Sequence, residues 1–329
     1  MENIISQFGL TADQTCLLFS LEYKIIHDQV LKESDTDRRK RKQEWEFKWL
    51  SIMANSLIQL KSEHGVLTDI TSLRNLRSEI NNESKSKAWK YMILLECSLF
   101  DAFYPLGTTD QDKDLVKRLK NDKDCFHSSL IWISNFLDID EKYITIFQKE
   151  YKSALNKLTN HTLKMVLFIG FGAIIAALLA IVCQPALVSL LAAEGIYGAA
   201  ASASVMAMLG GGAIAAGGLG IAGGWAVLVG GGFLVGGSLG ASAFMLSAKS
   251  NSDFVLTQAA RLEVVLKEII MGMQNDVKTF QEILMKQQEQ IAAMKAELIR
   301  LQKEESKHKD EIKNLKKSIE YLERLCKML

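Results

Sequence analysis

The residues best equipped for chemistry stand in one run: Asp37-Arg38-Arg39-Lys40-Arg41-Lys42, then Trp45, Phe47, Lys48 and Trp49. On a helix, Arg38, Arg41, Trp45, Lys48 and Trp49 share a face. Guanidinium and ammonium groups neutralise phosphates, and indole rings stack on bases for about 1–3 kcal/mol each. Arg38, Arg39, Lys40, Arg41, Lys42, Trp45, Lys48 and Trp49 therefore form a candidate site for a nucleotide or a short single-stranded DNA. Lys85, Lys87, Trp89 and Lys90 repeat the theme more thinly. The same pattern also fits a solvated helix face, a patch for anionic lipid headgroups, or tryptophans that belong to the core.

Other constellations point away from catalysis. Gly218-Leu-Gly220-Ile-Ala-Gly223 matches the dinucleotide fingerprint, but an acidic residue about 20 positions on should follow, and position 243 is Ala. Gly220 and Gly224, and Gly232, Gly236 and Gly240, are spaced four apart. Such rows let helix backbones approach closely in lipid; a loosely specified apolar hairpin is the alternative. The histidines (27, 64, 127, 161, 308) make no HExxH and do not cluster with the cysteines (16, 97, 125, 183, 326). There is neither a P-loop nor GxSxG. No metal, no cofactor and no catalytic residue is expected, and the dispersed, odd-numbered cysteines fit a reducing interior.

The elements that must position these groups fall into three parts. The chain has 329 residues, with 39 Lys+Arg against 38 Asp+Glu, so it is no global polycation. Yet between Lys164 and Lys249 lie 84 residues whose one charged side chain is Glu194, and 18 of the 22 glycines fall there. Residues 1–160 read as a helical cytosolic sensor domain. Thr11-Ala-Asp-Gln14 has the capping-box form ahead of Leu17, Leu18, Leu21, Ile25 and Ile26. Asp35 or Thr36 caps a second helix to about Ser62, and further helices are predicted from Asp69 and over 85–104, 110–120, 124–137 and 140–157. No period-two alternation suggests a strand.

Residues 161–249 read as a Gly/Ala-rich multi-span helical block. Residues 165–183 are apolar or small over nearly the roughly 20 residues a span needs. Segments 186–209, 213–229 and 233–247 make four spans, with two full spans plus re-entrant pieces as the alternative. An even number of spans, no secretory signal, and Lys152, Lys157, Lys164, Lys249 and Arg261 at its borders predict a multi-pass bacterial inner-membrane protein with both termini cytoplasmic. Glu194 faces either a pore or partner, or a luminal loop beside Gly195 and Gly198. Lys164 and Lys249 are candidates for a cationic pore mouth.

Residues 250–329 carry heptads: a positions from Ile270 to Cys326 and d positions from Leu266 to Leu329, polar only at Gln287, Glu305 and His308. This predicts a coiled coil, about 100 Å long if continuous, with a break or turn back admitted near Glu305 and His308. The fold class expected is thus an all-α membrane protein with an N-terminal helical domain and a C-terminal coiled coil.

This order of parts, carried by residues 165–248, the heptads from Leu266 and the basic-aromatic stretch 38–49, resembles the transmembrane effectors of the bacterial Hailong anti-phage defence system. The resemblance covers the whole chain in architecture and supplies no motif to carry over residue by residue. It implies a homo-tetrameric anion channel held shut by a short DNA oligomer that a paired nucleotidyltransferase makes; loss of the oligomer would depolarise the membrane and arrest the infected cell. Ile or Val at five a positions and Leu at five d positions instead favours a two-stranded parallel coil. A dimer of dimers, or a coil folded back within each chain, reconciles the two. Two other readings remain: a helical pore-forming toxin and a non-conducting membrane tether.

Overall fold

The structure is a computed structural model that describes residues 10–59, 62–84, 86–104, 106, 110–159, 252–303 and 305–329. Among them there are helices, turns and no strand. The chain divides into two compact units, whose described residues are 10–148 in one and 149–159 with 252–329 in the other.

The first unit is built on α1, Ala12–Lys32. Thr11 accepts from the Gln14 N–H, and the Gln14 side chain accepts from the Thr11 N–H, closing the capping box. Helix α1 packs against α2 (Thr36–Gln59), α3 (Ile70–Glu83), α4 (Ala88–Leu99) and α6 (Lys123–Phe136). A helix with four neighbours must be apolar on most of its surface, and Leu17, Leu18, Leu21, Ile25 and Ile26 are all sealed from solvent. Short α5 (Asp110–Val116) packs against α2.

Polar groups fix the register between these helices. Asp35 accepts from the Arg38 N–H and starts α2. Asp69 caps α3 and Asp122 caps α6. Gln29, fully buried, clamps the α6 cap from α1: its amide donates to the Asp122 carbonyl at 2.9 Å and accepts from the Asp122 N–H at 2.7 Å. Both backbone groups are thereby satisfied, which burial requires.

The second unit contains the end of α7 (Lys142–Thr159), α8 (Ser252–Val264) continued by a π-helical segment over Val265–Met273, α9 (Val277–Gln302) and α10 (Lys309–Met328). The π segment ends at Met273, Asn275 just beyond it turns the chain with a φ of 52°, and Asp276 caps α9 by accepting from the Thr279 N–H at 3.0 Å. Helix α10 packs against both α8 and α9. Lys295 on α9 pairs with Glu323 on α10 at 2.7 Å. The Lys157 and Lys267 ammonium groups meet the buried Glu263 carboxylate at 3.4 and 2.7 Å, and Arg324 donates to the Leu158 carbonyl.

Two expectations are corrected here. Instead of one continuous rod there are three helical arms, interrupted at 274–276, which the heptads do not predict, and at 303–308, where they admit a break or turn back near Glu305 and His308. The heptad residues still form the seam: Ile291, Met294, Leu301, Ile312, Leu315, Ile319 and Leu322 are buried. These residues bury the stripe against the same chain, with Gln287 among them, while Met273 and Val277, at heptad positions beside the first interruption, are exposed.

The second correction concerns the multi-span membrane fold and the inner-membrane, multi-pass placement. Among the described residues no helix is long and apolar enough to cross a membrane. The two longest, α2 and α9, carry charges throughout: Arg38, Arg41, Glu44 and Lys48 in one, Lys278, Glu282, Lys295 and Arg300 in the other. The predicted spans over 165–248, with Lys164, Glu194, Lys249, Gly220, Gly224, Gly232, Gly236 and Gly240, lie outside the described residues.

Candidate functional site

The basic-aromatic run on α2 is largely structural. Trp45 and Trp49 are 0% and 1% exposed. Trp45 packs edge-on against Phe103 and Tyr104, each at 5.2 Å, and donates its indole N–H to the Tyr104 carbonyl at 2.6 Å. Trp49 meets Phe19 and Phe100. Neither indole offers a face to a base, which corrects their assignment as stacking residues. Lys42 is buried too, pairing with Glu33 at 3.1 Å and lying 4.9 Å from the Phe103 ring. Burial pushes the Glu33 carboxyl up, but hydrogen bonds from Lys42 and the Asp35 N–H and the charges of Lys42 and Arg38 outweigh it, leaving Glu33 below the usual carboxylate range.

The remaining cations of the run are divided. Arg41 donates to the carbonyls of Asp114, Leu115 and Lys117, satisfying groups at the end of α5. Arg38 pairs with Glu33, Arg39 donates to the Glu33 carbonyl, and Lys48 pairs with Glu44. Lys40 is exposed. In the second, thinner run, Trp89 is buried and Lys90 turns to Asp138 at 3.1 Å.

A different cluster combines the same chemistry at an open surface. Two adjoining cavities, of about 340 and 270 Å³, share Ile70 and Trp132 as lining residues and form one groove among α1, α3 and α6. Trp132 is partly exposed. It stacks on Phe136 at 5.2 Å and 13°, one helical turn away. Lys24 from α1 lies 4.8 Å from the Trp132 ring, and Arg77 from α3 lies 5.0 Å from Phe136. The result is a ladder of cation, indole, phenyl and cation along the groove, each step within cation–π or stacking range.

Carboxylates hold the cations in place. Asp28 receives Lys24 at 3.0 and 2.9 Å, and Ser129 at 2.7 Å. Asp138, at φ 56° just past the end of α6, accepts from Arg77 at 3.3 Å and from Lys90 at 3.1 Å. Arg77 also donates to the Phe136 carbonyl. Arg74, exposed on the same wall, has no hydrogen bond or ion pair among the described residues. At the other end Tyr23 stacks on His27 at 5.7 Å, and His27 meets Glu46 at 2.8 Å. Burial, then the neighbouring Glu46 carboxylate, pushes the Tyr23 phenol up, so it stays a neutral donor.

These parts suit an anionic ligand that carries rings: the edge of Trp132, whose faces are taken by Lys24 and Phe136, stands beside Arg74, a cation without an ion-pair partner among the described residues, and beside the carboxylate-paired Lys24 and Arg77. No group of three or more His, Cys, Asp or Glu able to hold a metal occurs among the described residues. No local motif marks the groove, because its parts come from positions 23–28, 70–77 and 132–138 and meet only in the folded unit. No family model, curated protein or solved structure matches this chain.

Proposed function

We propose that the chain is a ligand-controlled effector that makes a membrane permeable to ions, and so arrests a bacterial cell under phage attack. The groove of unit 10–148 is its sensor for a nucleotide or short single-stranded DNA oligomer. The observation that carries this reading is the pairing, in one chain, of a cation–aromatic groove with an 84-residue stretch that has one charge, Glu194. Uncharged, Gly/Ala-rich sequence is suited to act on lipid; the groove is suited to read an anion that carries rings. The likeness in order of parts to Hailong effectors agrees with it, and a nucleotidyltransferase partner would supply the oligomer.

Control follows from differential affinity. A ligand that binds the sensor better in its non-permeabilising state holds that state by the ratio of the two affinities; a hundredfold ratio is about 2.7 kcal/mol. The test is chloride efflux from vesicles carrying the purified full-length protein. Efflux that a short single-stranded oligodeoxynucleotide suppresses, and that escapes suppression when Arg74 and Arg77 are changed to Ala, is the expected result. Efflux absent under all conditions, or indifferent to the oligonucleotide, overturns the reading.

A further inference from the structure

Helix α9 has two seams. The first packs within the chain, on Ile283, Gln287, Ile291, Met294 and Leu301, all buried. The second runs through Gln281, Met285, Gln288, Ala292, Lys295 and Ile299, at alternating spacings of four and three, and every one of these residues is exposed. Met285 and Ile299 are each 62% exposed. At 3.6 residues per turn the second seam lies roughly 130° round the helix from the first. Its one charge, Lys295, is already neutralised by Glu323 of its own chain. A solvent-facing helix surface ordinarily carries charges at such positions; this one has the heptad form of a contact.

We infer that the second seam of α9 pairs with the same seam of a second copy of this chain, antiparallel about a two-fold axis near residues 292–295. Charge decides the orientation. The positions flanking the seam on its outer side are Glu282, Glu289, Ala296 and Lys303. On the inner side they are Leu284, Ile291 and Leu298, which face the intrachain core. In a parallel pair, Glu282 and Glu289 of one copy lie against the apolar inner flank of the other. In an antiparallel pair, outer flank meets outer flank, Glu282 stands opposite Lys303 of the second copy twice by symmetry, and Glu289 meets Ala296. Lys303 is exposed and has no ion-pair partner among the described residues, and Glu282 has only Lys278 at 3.9 Å. An isologous contact of this kind is self-complementary and closes. The pairing is independent of the ligand groove, which lies in the other unit.

The experiment is sedimentation equilibrium of the full-length protein, with far-UV circular dichroism to confirm that each variant keeps its helix content. Met285→Lys with Ile299→Lys, both at exposed positions, should raise the dissociation constant at least tenfold. Glu282→Lys alone and Lys303→Glu alone should each weaken association, and the double exchange should bring it back within about twofold of the original. A wild-type chain that stays monomeric overturns the inference, as does association indifferent to the paired lysines. Loss in both single exchanges without recovery in the double overturns the antiparallel register.

Discussion

Helices α2 and α6 carry the same kinds of side chain to opposite ends. On α2, Trp45 and Trp49 sit one turn apart, as Trp132 and Phe136 do on α6, and both helices have cations against aromatic rings. The α2 pair faces Phe19, Phe100, Phe103 and Tyr104 and is sealed. On α6, Phe136 is buried as well, but Trp132 is partly exposed on a groove whose cations come from other helices, Lys24 and Arg77. The difference teaches where to look for recognition. Cations that lie on the same helix as the aromatics mark a helix with a wet side and a dry side; cations brought across from neighbours leave ring edges and charge accessible together.

The comparison breaks most visibly at Trp45. Trp45→Ala removes a buried ring and the donor to the Tyr104 carbonyl, and should cost about 3–5 kcal/mol. Thermal melts of the full-length protein should show its first transition falling steeply. If Trp45→Ala leaves the melt unchanged and abolishes ligand binding, α2 is the recognition helix after all.

Lys42→Met should cost less, about 1–3 kcal/mol, by leaving the Glu33 carboxylate without its nearest cation. It should also alter the acid limb of stability. A carboxyl held below its unfolded pKa, about 4.3 for Glu, stabilises fully above that value, and the contribution is lost as pH falls through the folded pKa. Wild type should therefore lose stability through that window more steeply than Lys42→Met, as acid titration followed by circular dichroism would show.

How far these contrasts were legible in the sequence depends on distance along the chain. Thr11 and Asp69 announce helix starts because a cap acts over three residues, and α1 and α3 begin beside them, whereas α6, expected from Asp124, is capped two residues earlier by Asp122. The heptads from Leu266 were legible as a stripe but not as a partner choice: the turn at Asn275 and the loop at 303–308 decide that the stripe closes on its own chain. Spacing alone left Trp45 and Trp49 open between core and site, since a periodic face looks alike from either side. The groove was not legible, because Lys24, Arg77 and Trp132 lie far apart along the chain and meet only through the packing of α1, α3 and α6.

The smaller effects sharpen the assignment. Trp132→Ala should weaken oligonucleotide binding about tenfold, roughly 1.4 kcal/mol, by removing the exposed ring edge and the surface on which Lys24 rests, with little change in the melt because the ring is partly exposed. Replacing Arg38, Arg39 and Lys40 together by Ala should leave stability within about 0.5 kcal/mol and binding within twofold, since these residues stand outside the groove. Differential scanning fluorimetry and equilibrium binding at fixed ionic strength would check both.

The most direct measurement is a fluorescence-anisotropy titration of a labelled short single-stranded oligodeoxynucleotide with the full-length protein and two variants, Trp132→Ala and the Arg38, Arg39 and Lys40 triple replacement. Weakened binding in the first and near-wild-type binding in the second place recognition in the groove between α1, α3 and α6. Binding that survives in Trp132→Ala and collapses in the triple replacement contradicts that placement and returns recognition to the basic face of α2.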